Sequence, residues 1–100
     1  MNIIDKNIEK IQDACLKYKV ARLFVFGSAL SGKLRKNSDI DFVVDFKDVD
    51  IYEYADNYFE LKYSLENIFN RNVDLLENKA IENPYFRQSL DATKRLIYGQ

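Results

Sequence analysis

Apolar residues recur at helical spacing along the first segment, where Ile4, Ile8, Ile11 and Cys15 stand among Asp, Glu and Lys. That period predicts an amphipathic helix running to about Tyr18. Val20–Phe26 is rich in Val, Leu and Phe and ends at Gly27, which predicts a buried strand. From Ser28 to Asn37 the residues are mostly small or basic and predict a short helical turn followed by a loop. Asp39–Phe46 predicts a second strand, with Ile40, Phe42 and Val44 on one face and Asp39, Asp41, Val43 and Asp45 on the other. Successive strand side chains point to opposite sides, so the acids share one face. Ile51–Phe69 predicts a long helix with Ile51, Ala55, Tyr58, Leu65, Ile68 and Phe69 as its apolar positions, and Asn72–Leu76 a short strand. In the tail, Asn83 is placed to cap a helix with Pro84 at its first position. Phe86, Leu90 and Ile97 give that helix an apolar stripe, and Gly99 suits its end.

This order of elements predicts a small mixed β-sheet flanked by helices, an α/β (α+β) architecture. Its 100 residues suit one domain spanning 1–100. With 47% hydrophobic and 14% aromatic residues the chain can bury a real core, at a small stability margin. A long substrate-recognition domain does not fit in this length, so acceptor recognition is expected from a loop or a partner chain.

Charge narrows the partners. Fifteen Lys+Arg against sixteen Asp+Glu give no strong nucleic-acid signature, although a local basic patch is compatible with them. One cysteine, Cys15, forms no intrachain disulfide and suits a reducing compartment. No uncharged run is long enough to span a bilayer and Met1–Lys10 is not a signal peptide, so a cytoplasmic location without a membrane partner is expected. The chain has no histidine. Catalysis must then rest on carboxylates, lysines, hydroxyls or a hard metal ion.

The stretch from Phe26 to Asp41 carries most of the candidate chemistry. Gly27 and Ser28 follow a strand and open a helical turn, where free backbone amides can hold an anion such as the outer phosphates of a nucleotide. An ordinary strand-to-helix turn with a Ser cap gives the same local pattern. Asp39 and Asp41 face the same way at close range. Such a pair repels unless a divalent cation intervenes, and hard oxygen ligands favour Mg²⁺, with Mn²⁺ as the alternative. A solvated strand edge is the plain alternative for any single Asp-x-Asp. Asp74, an acid inside Val73-Asp74-Leu75-Leu76, completes a three-carboxylate cluster if its strand neighbours Asp39–Phe46. Glu77, at the strand exit, is the fallback for the third acid. Lys33, Arg35 and Lys36 form a basic loop that can neutralise triphosphate charge, or simply a solvated loop. Tyr52, Tyr54, Tyr58, Phe59 and Tyr63 crowd one helix, and either core or interface suits them.

Together these residues resemble the minimal nucleotidyltransferases, small members of the DNA polymerase β-like superfamily. That pattern is Gly-Ser, ten residues, Asp-x-Asp, then a third acid on a later strand. Here Gly27-Ser28 is followed by the ten residues Ala29–Ser38, then Asp39-Ile40-Asp41, with Gly32 in the loop, Ser38 before the first acid and Asp74 as the third acid. The tail from Asn83-Pro84-Tyr85-Phe86-Arg87 to Tyr98-Gly99 is also similar. One departure is Ala29, where family members often place a basic residue; Lys33 or Arg35 could substitute.

The resemblance implies a polymerase β-like palm fold. It implies ATP as substrate, two Mg²⁺ ions, and Asp39, Asp41 and Asp74 as both catalytic and metal-binding residues. Gly27, Ser28, Lys33, Arg35 and Ser38 are implied as nucleotide contacts, and Asp74 as acceptor of the hydroxyl proton. Many such proteins look like the antitoxin half of a pair with a HEPN-domain RNase, silenced by AMP added to a tyrosine and by contact. That role implies a HEPN-domain partner, and it is compatible with a homo- or hetero-oligomer. A small-molecule or RNA hydroxyl as acceptor, or a non-catalytic module acting by contact, are the rival readings.

Overall fold

The computed structural model describes residues 3–32, 35 and 38–100. Its elements are α1 (Ile3–Lys6), α2 (Ile8–Lys17), β1 (Val20–Phe26), α3 (Ser28–Ser31), β2 (Ile40–Phe46), α4 (Ile51–Phe69), β3 (Val73–Glu77), a 3₁₀ turn at Asn78–Ala80, α5 (Pro84–Thr93) and β4 (Arg95–Tyr98). Four strands make one mixed sheet in the order β3-β2-β1-β4. β1 runs antiparallel to both neighbours, while β2 and β3 are parallel and joined across α4. A parallel pair needs such a crossover, and an amphipathic helix is its usual form.

The alternation read in β2 sets the layers. Ile40, Phe42 and Val44 join Leu23, Val25, Val73 and Leu75 in the main core, under Ile11 and Cys15 of α2 and Leu61, Leu65 and Phe69 of α4. On the opposite face, Phe24 and Val43 pack with Leu90 of α5, a smaller cluster bordered by Phe26 and Leu76. Burial pushes the Cys15 thiol up to about 12, so it behaves as a small core hydrophobe.

Three expectations need correction. The first helix is broken at Asn7, whose side-chain amide donates to the Ile3 carbonyl at 2.9 Å and whose φ of −116° leaves the helix. Asn competes for backbone groups in this way, and hydrophobic spacing does not register it. The last helix stops at Thr93, short of Ile97, which lies on β4 and is buried in the main core. Gly99 ends that strand instead of a helix; a Cβ there would run into the carbonyl oxygen of Ala21. In α4 the expected apolar face holds at Tyr58, Leu65, Ile68 and Phe69, which meet the main core, but not in the first turns. Leu61 is buried, whereas Ile51 is 82% exposed and Ala55 also faces solvent.

Among the described residues no helix is long and apolar enough to cross a membrane.

Candidate active site

β1 ends and β2 and β3 begin at the same edge of the sheet, and this brings the Gly-Ser turn and the acids together. Phe26 of β1 is opposite Asp41 of β2, and Asp41 is in register with Asp74 of β3. Asp39 stands two residues before Asp41 on the chain entering β2, exposed. Asp41 is half-buried and Asp74 exposed. The three acids were separated by up to 35 positions in sequence, and the ladder makes them neighbours.

Electrostatics separates these acids from the others nearby. Asp45 lies on the same face of β2, but it is neutralised: Arg22 approaches at 3.0 Å and the Asn78 amide donates to it at 3.2 Å. Arg87 in turn donates to the Asn78 side chain at 2.6 Å and to its carbonyl at 2.7 Å. Asp39, Asp41 and Asp74 have no ion-pair or hydrogen-bond partner among the described residues. Burial, then the charges of Asp74 and Asp39, raise the Asp41 carboxyl above its ordinary value. Desolvation and like charge both oppose its ionised form.

Glu77 is placed elsewhere. It sits three residues further along β3, opposite Val44, and accepts the Tyr54 hydroxyl at 2.7 Å. Burial and that bond push the Tyr54 phenol up. Tyr58, one turn further along α4, donates to the Leu75 carbonyl. These two tyrosines therefore tie α4 to β3, while Tyr52, Phe59 and Tyr63 point to solvent. The crowded helix holds both kinds of position.

Gly27 has φ +74°, and its missing Cβ is required by Asp41 as well, whose Oδ2 would lie 2.6 Å away. The turn it opens is one turn long, so any hold on an anion rests on free amides and little on a macrodipole. The backbone of Ser28 is helical, but its hydroxyl and all of Lys33 and Lys36 lie outside the described residues. Arg35 is exposed, and its amide donates to the Ser38 hydroxyl at 3.1 Å. Ser38 closes the turn again by donating its own amide to the Arg35 carbonyl at 3.0 Å.

One residue of this edge had no signal in the sequence. Arg71, between α4 and β3, donates through a single guanidinium nitrogen to the carbonyls of Arg35 at 2.9 Å and Ser38 at 3.2 Å. It clasps the loop just before Asp39 to the start of the strand that carries Asp74. A lone arginine in a helix-to-strand link looks like any surface cation, and its target is 33 to 36 residues away.

A donor set made entirely of carboxylate oxygens suits a hard divalent cation such as Mg²⁺. Among the described residues no three acids already stand close enough to enclose an ion. Asp39 and Asp74 are exposed and, among the described residues, unpaired, so turning toward Asp41 breaks no contact with those residues. The residues fit such an ion by the chemistry of their oxygens.

Comparison with known proteins places the fold in a family. The family model described as "Polymerase beta, Nucleotidyltransferase" matches residues 9–100. A Methanocaldococcus jannaschii protein, provisionally named a protein adenylyltransferase, is 42% identical over 82 residues, covering 82% of this chain and 79% of its own. A solved structure provisionally named a minimal nucleotidyltransferase gives a TM-score of 0.78 at 24% identity and covers 95% of both chains. A toxin-antitoxin structure with AMP-PNP gives 0.73 at 25% identity, over 94% of this chain and 74% of that one. A tri-AMPylated Shewanella oneidensis HEPN toxin in complex with MNT antitoxin gives 0.65 at 21% identity, over 96% and 72%. At these lower identities the structures attest the shared fold.

Proposed function

Because this chain belongs to the polymerase β nucleotidyltransferase family and is a nucleotidyltransferase, we propose that it transfers AMP from ATP to a tyrosine hydroxyl of a HEPN-domain partner and so acts as its antitoxin. The observation that carries the reading is the trio Asp39, Asp41 and Asp74, brought to one edge of the sheet and, among the described residues, left unpaired while Asp45 beside them is neutralised. The general activity is that of the relatives named protein adenylyltransferases. The HEPN partner is suggested by the AMPylated toxin complex that shares the fold, and the tyrosine as acceptor is what the family resemblance implies.

Asp39, Asp41 and Asp74 would hold Mg²⁺, which when bound offsets triphosphate charge and stabilises the oxygens entering and leaving phosphorus. Backbone amides at Gly27 and Ser28 would receive the outer phosphates, with Lys33 and Arg35 supplying positive charge from the loop. Ser38 helps to hold that loop in shape through its bonds with Arg35. The tyrosine oxygen forms a bond to the α-phosphorus of ATP, and the bond from that phosphorus to the bridging oxygen of pyrophosphate breaks. Asp74, exposed at the mouth, takes the hydroxyl proton. The products are the adenylylated tyrosine and pyrophosphate.

Calorimetry of ATP with and without Mg²⁺, on wild type and on Asp39→Ala/Asp41→Ala, tests the site. Metal-dependent binding that the double variant loses is expected; equal binding by both would remove the acids from the site. Co-expression with the adjacent gene's product, followed by intact mass, tests the acceptor. A HEPN-domain product heavier by one or more adenylyl groups is expected, and an unmodified one in the presence of ATP and Mg²⁺ would overturn the acceptor assignment.

A further inference from the structure

The exposed face of α4 presents large apolar side chains to water: Tyr52 is 92% exposed, Ile51 82%, Tyr63 56% and Phe59 46%, with Phe59 and Tyr63 stacked at 6.2 Å between ring centroids. None of them contributes to either core cluster. Beside Ile51 opens a cleft of about 600 Å³ lined by Phe46, Val49, Tyr54 and Ala55. Its size suits one or two inserted side chains. The charge around this face is one-sided. Residues 48–60 hold five carboxylates, Asp48, Asp50, Glu53, Asp56 and Glu60, and no Lys or Arg, in a chain whose charges as a whole nearly cancel. All five are exposed, and Glu53 alone has an ion-pair partner among the described residues, Lys19 at 3.9 Å.

We propose that this aromatic, acidic face of α4 and the cleft beside it dock a protein partner that presents an apolar side chain flanked by lysines or arginines. Aromatic residues are the ones enriched in the centres of protein interfaces. The carboxylates select the sign of what covers them: a basic protein surface is attracted, whereas RNA, DNA and anionic lipid are repelled. Lys47 and Lys79 line the cleft itself, so the partner's cations belong on the helix side, over Glu53, Asp56 and Glu60. The cleft at the start of α4 is remote from the acids that carry transfer. Asp41 is the second residue of β2 and Phe46 its last, which separates the two by about 16 Å at strand rise. Docking there leaves the catalytic edge open, so one partner can be held by α4 while its hydroxyl, or that of a second copy, reaches Asp74.

The partner used in the test is the HEPN-domain protein of the proposed function, on which this inference rests. Its purified form is titrated into wild type, into Glu53→Lys/Asp56→Lys/Glu60→Lys, and into Tyr52→Ser/Phe59→Ser. The milder Glu53→Gln/Asp56→Asn/Glu60→Gln guards against misfolding, which circular dichroism and ATP–Mg²⁺ binding monitor in every variant. The inference expects wild-type affinity to fall with added salt. It expects the charge reversal and the aromatic removal each to weaken binding at least about tenfold, and the neutral variant to fall between. ATP binding stays unchanged, because these residues lie outside the nucleotide site. Equal binding by folded variants would overturn the docking face and leave the transferase reading standing. So would salt-insensitive binding, or no complex with wild type. Loss of ATP binding in Asp39→Ala/Asp41→Ala bears on the transferase alone.

Discussion

Gly27 and Asp41 are fitted to each other across the β1–β2 ladder: a Cβ on Gly27 would stand 2.6 Å from the Asp41 Oδ2. The register explains the contact, since Phe26 is opposite Asp41 and Gly27 is the next residue. The spacing from Gly-Ser to Asp-x-Asp thus follows from geometry: the chain leaves β1, makes one helical turn and a loop, and returns antiparallel with an acid beside the glycine.

Gly27→Ala meets two penalties at once. At φ +74° any L side chain is strained by about 1–2 kcal/mol, and the new methyl displaces the Asp41 carboxylate. The expected result is a modest drop in Tm together with loss of Mg²⁺-dependent ATP binding by more than about tenfold. Gly32→Ala is the control. It shares φ +74° but has nothing within 4 Å of its missing Cβ, so it should lose stability without losing the nucleotide. Equal loss of binding in both variants would assign the effect to backbone strain.

Asp41→Asn should separate stability from function. Burial and the charges of Asp74 and Asp39 raise the Asp41 carboxyl in the folded state. A group that holds its proton more tightly when folded stabilises the fold below its unfolded pKa, and that increment is lost as pH rises through the folded value. At neutral pH the ionised Asp41 is therefore a cost to the metal-free fold. Removing its charge should raise Tm at pH 7 and make little difference below about pH 4. Saturating Mg²⁺ and ATP should reverse the order, because only wild type gains from the ligand. A variant less stable than wild type at pH 7 without metal would show that burial and like charge do not make the ionised Asp41 a cost to the fold.

The sequence was most legible where a period and a chemical need coincided. Ile40, Phe42 and Val44 alternate with the acids, so β2, its two faces and the grouping of Asp39 with Asp41 could be read directly, and the observed strand begins one residue later. Asp74 could be placed only conditionally, because the parallel pairing of β2 with β3 depends on α4 folding over the sheet. The Asn7 break, the outward turn of Ile51 and the clasp of Arg71 depend on side chains finding partners elsewhere. Periodicity contains no information about those partners. The tail misled for a related reason: Asn83 caps α5 as expected, accepting the amides of Tyr85 and Phe86 at 2.9 and 3.0 Å, but Ile97 falls near enough to the helical stripe of Leu90 to be counted with it.

Ile97 distinguishes the two accounts of the tail. On β4, an edge strand beside β1, it is buried in the main core on the face opposite α5. Ile97→Ala should cost about 2–4 kcal/mol, as for other buried aliphatics cut to alanine. Leu96→Ala, whose side chain is 40% exposed, should cost well under half of that. Urea unfolding of both variants measures the contrast. A helix continuing past Thr93 would put consecutive residues about 100° apart instead of on opposite faces, and the sharp difference between Leu96 and Ile97 would fade.

Arg71 should matter to the nucleotide more than to the fold. Its guanidinium holds the carbonyls of Arg35 and Ser38 and so fixes the approach to Asp39 against the start of β3. Removing it gives up two solvent-accessible bonds, a stability loss of about 1 kcal/mol. The loop it releases carries the cations assigned to the outer phosphates, so Arg71→Ala should weaken ATP binding by about three- to tenfold. AMP, which lacks those phosphates, should bind as before. Lysine keeps the charge but offers a point donor in place of a planar fork, so Arg71→Lys should restore only part of the ATP affinity. Titrating ATP and AMP into the three proteins reads the selectivity directly. Parallel losses for both nucleotides would mean that Arg71 supports the sheet edge as a whole; an ATP-specific loss, partly rescued by lysine, identifies it as the residue that positions the phosphate loop.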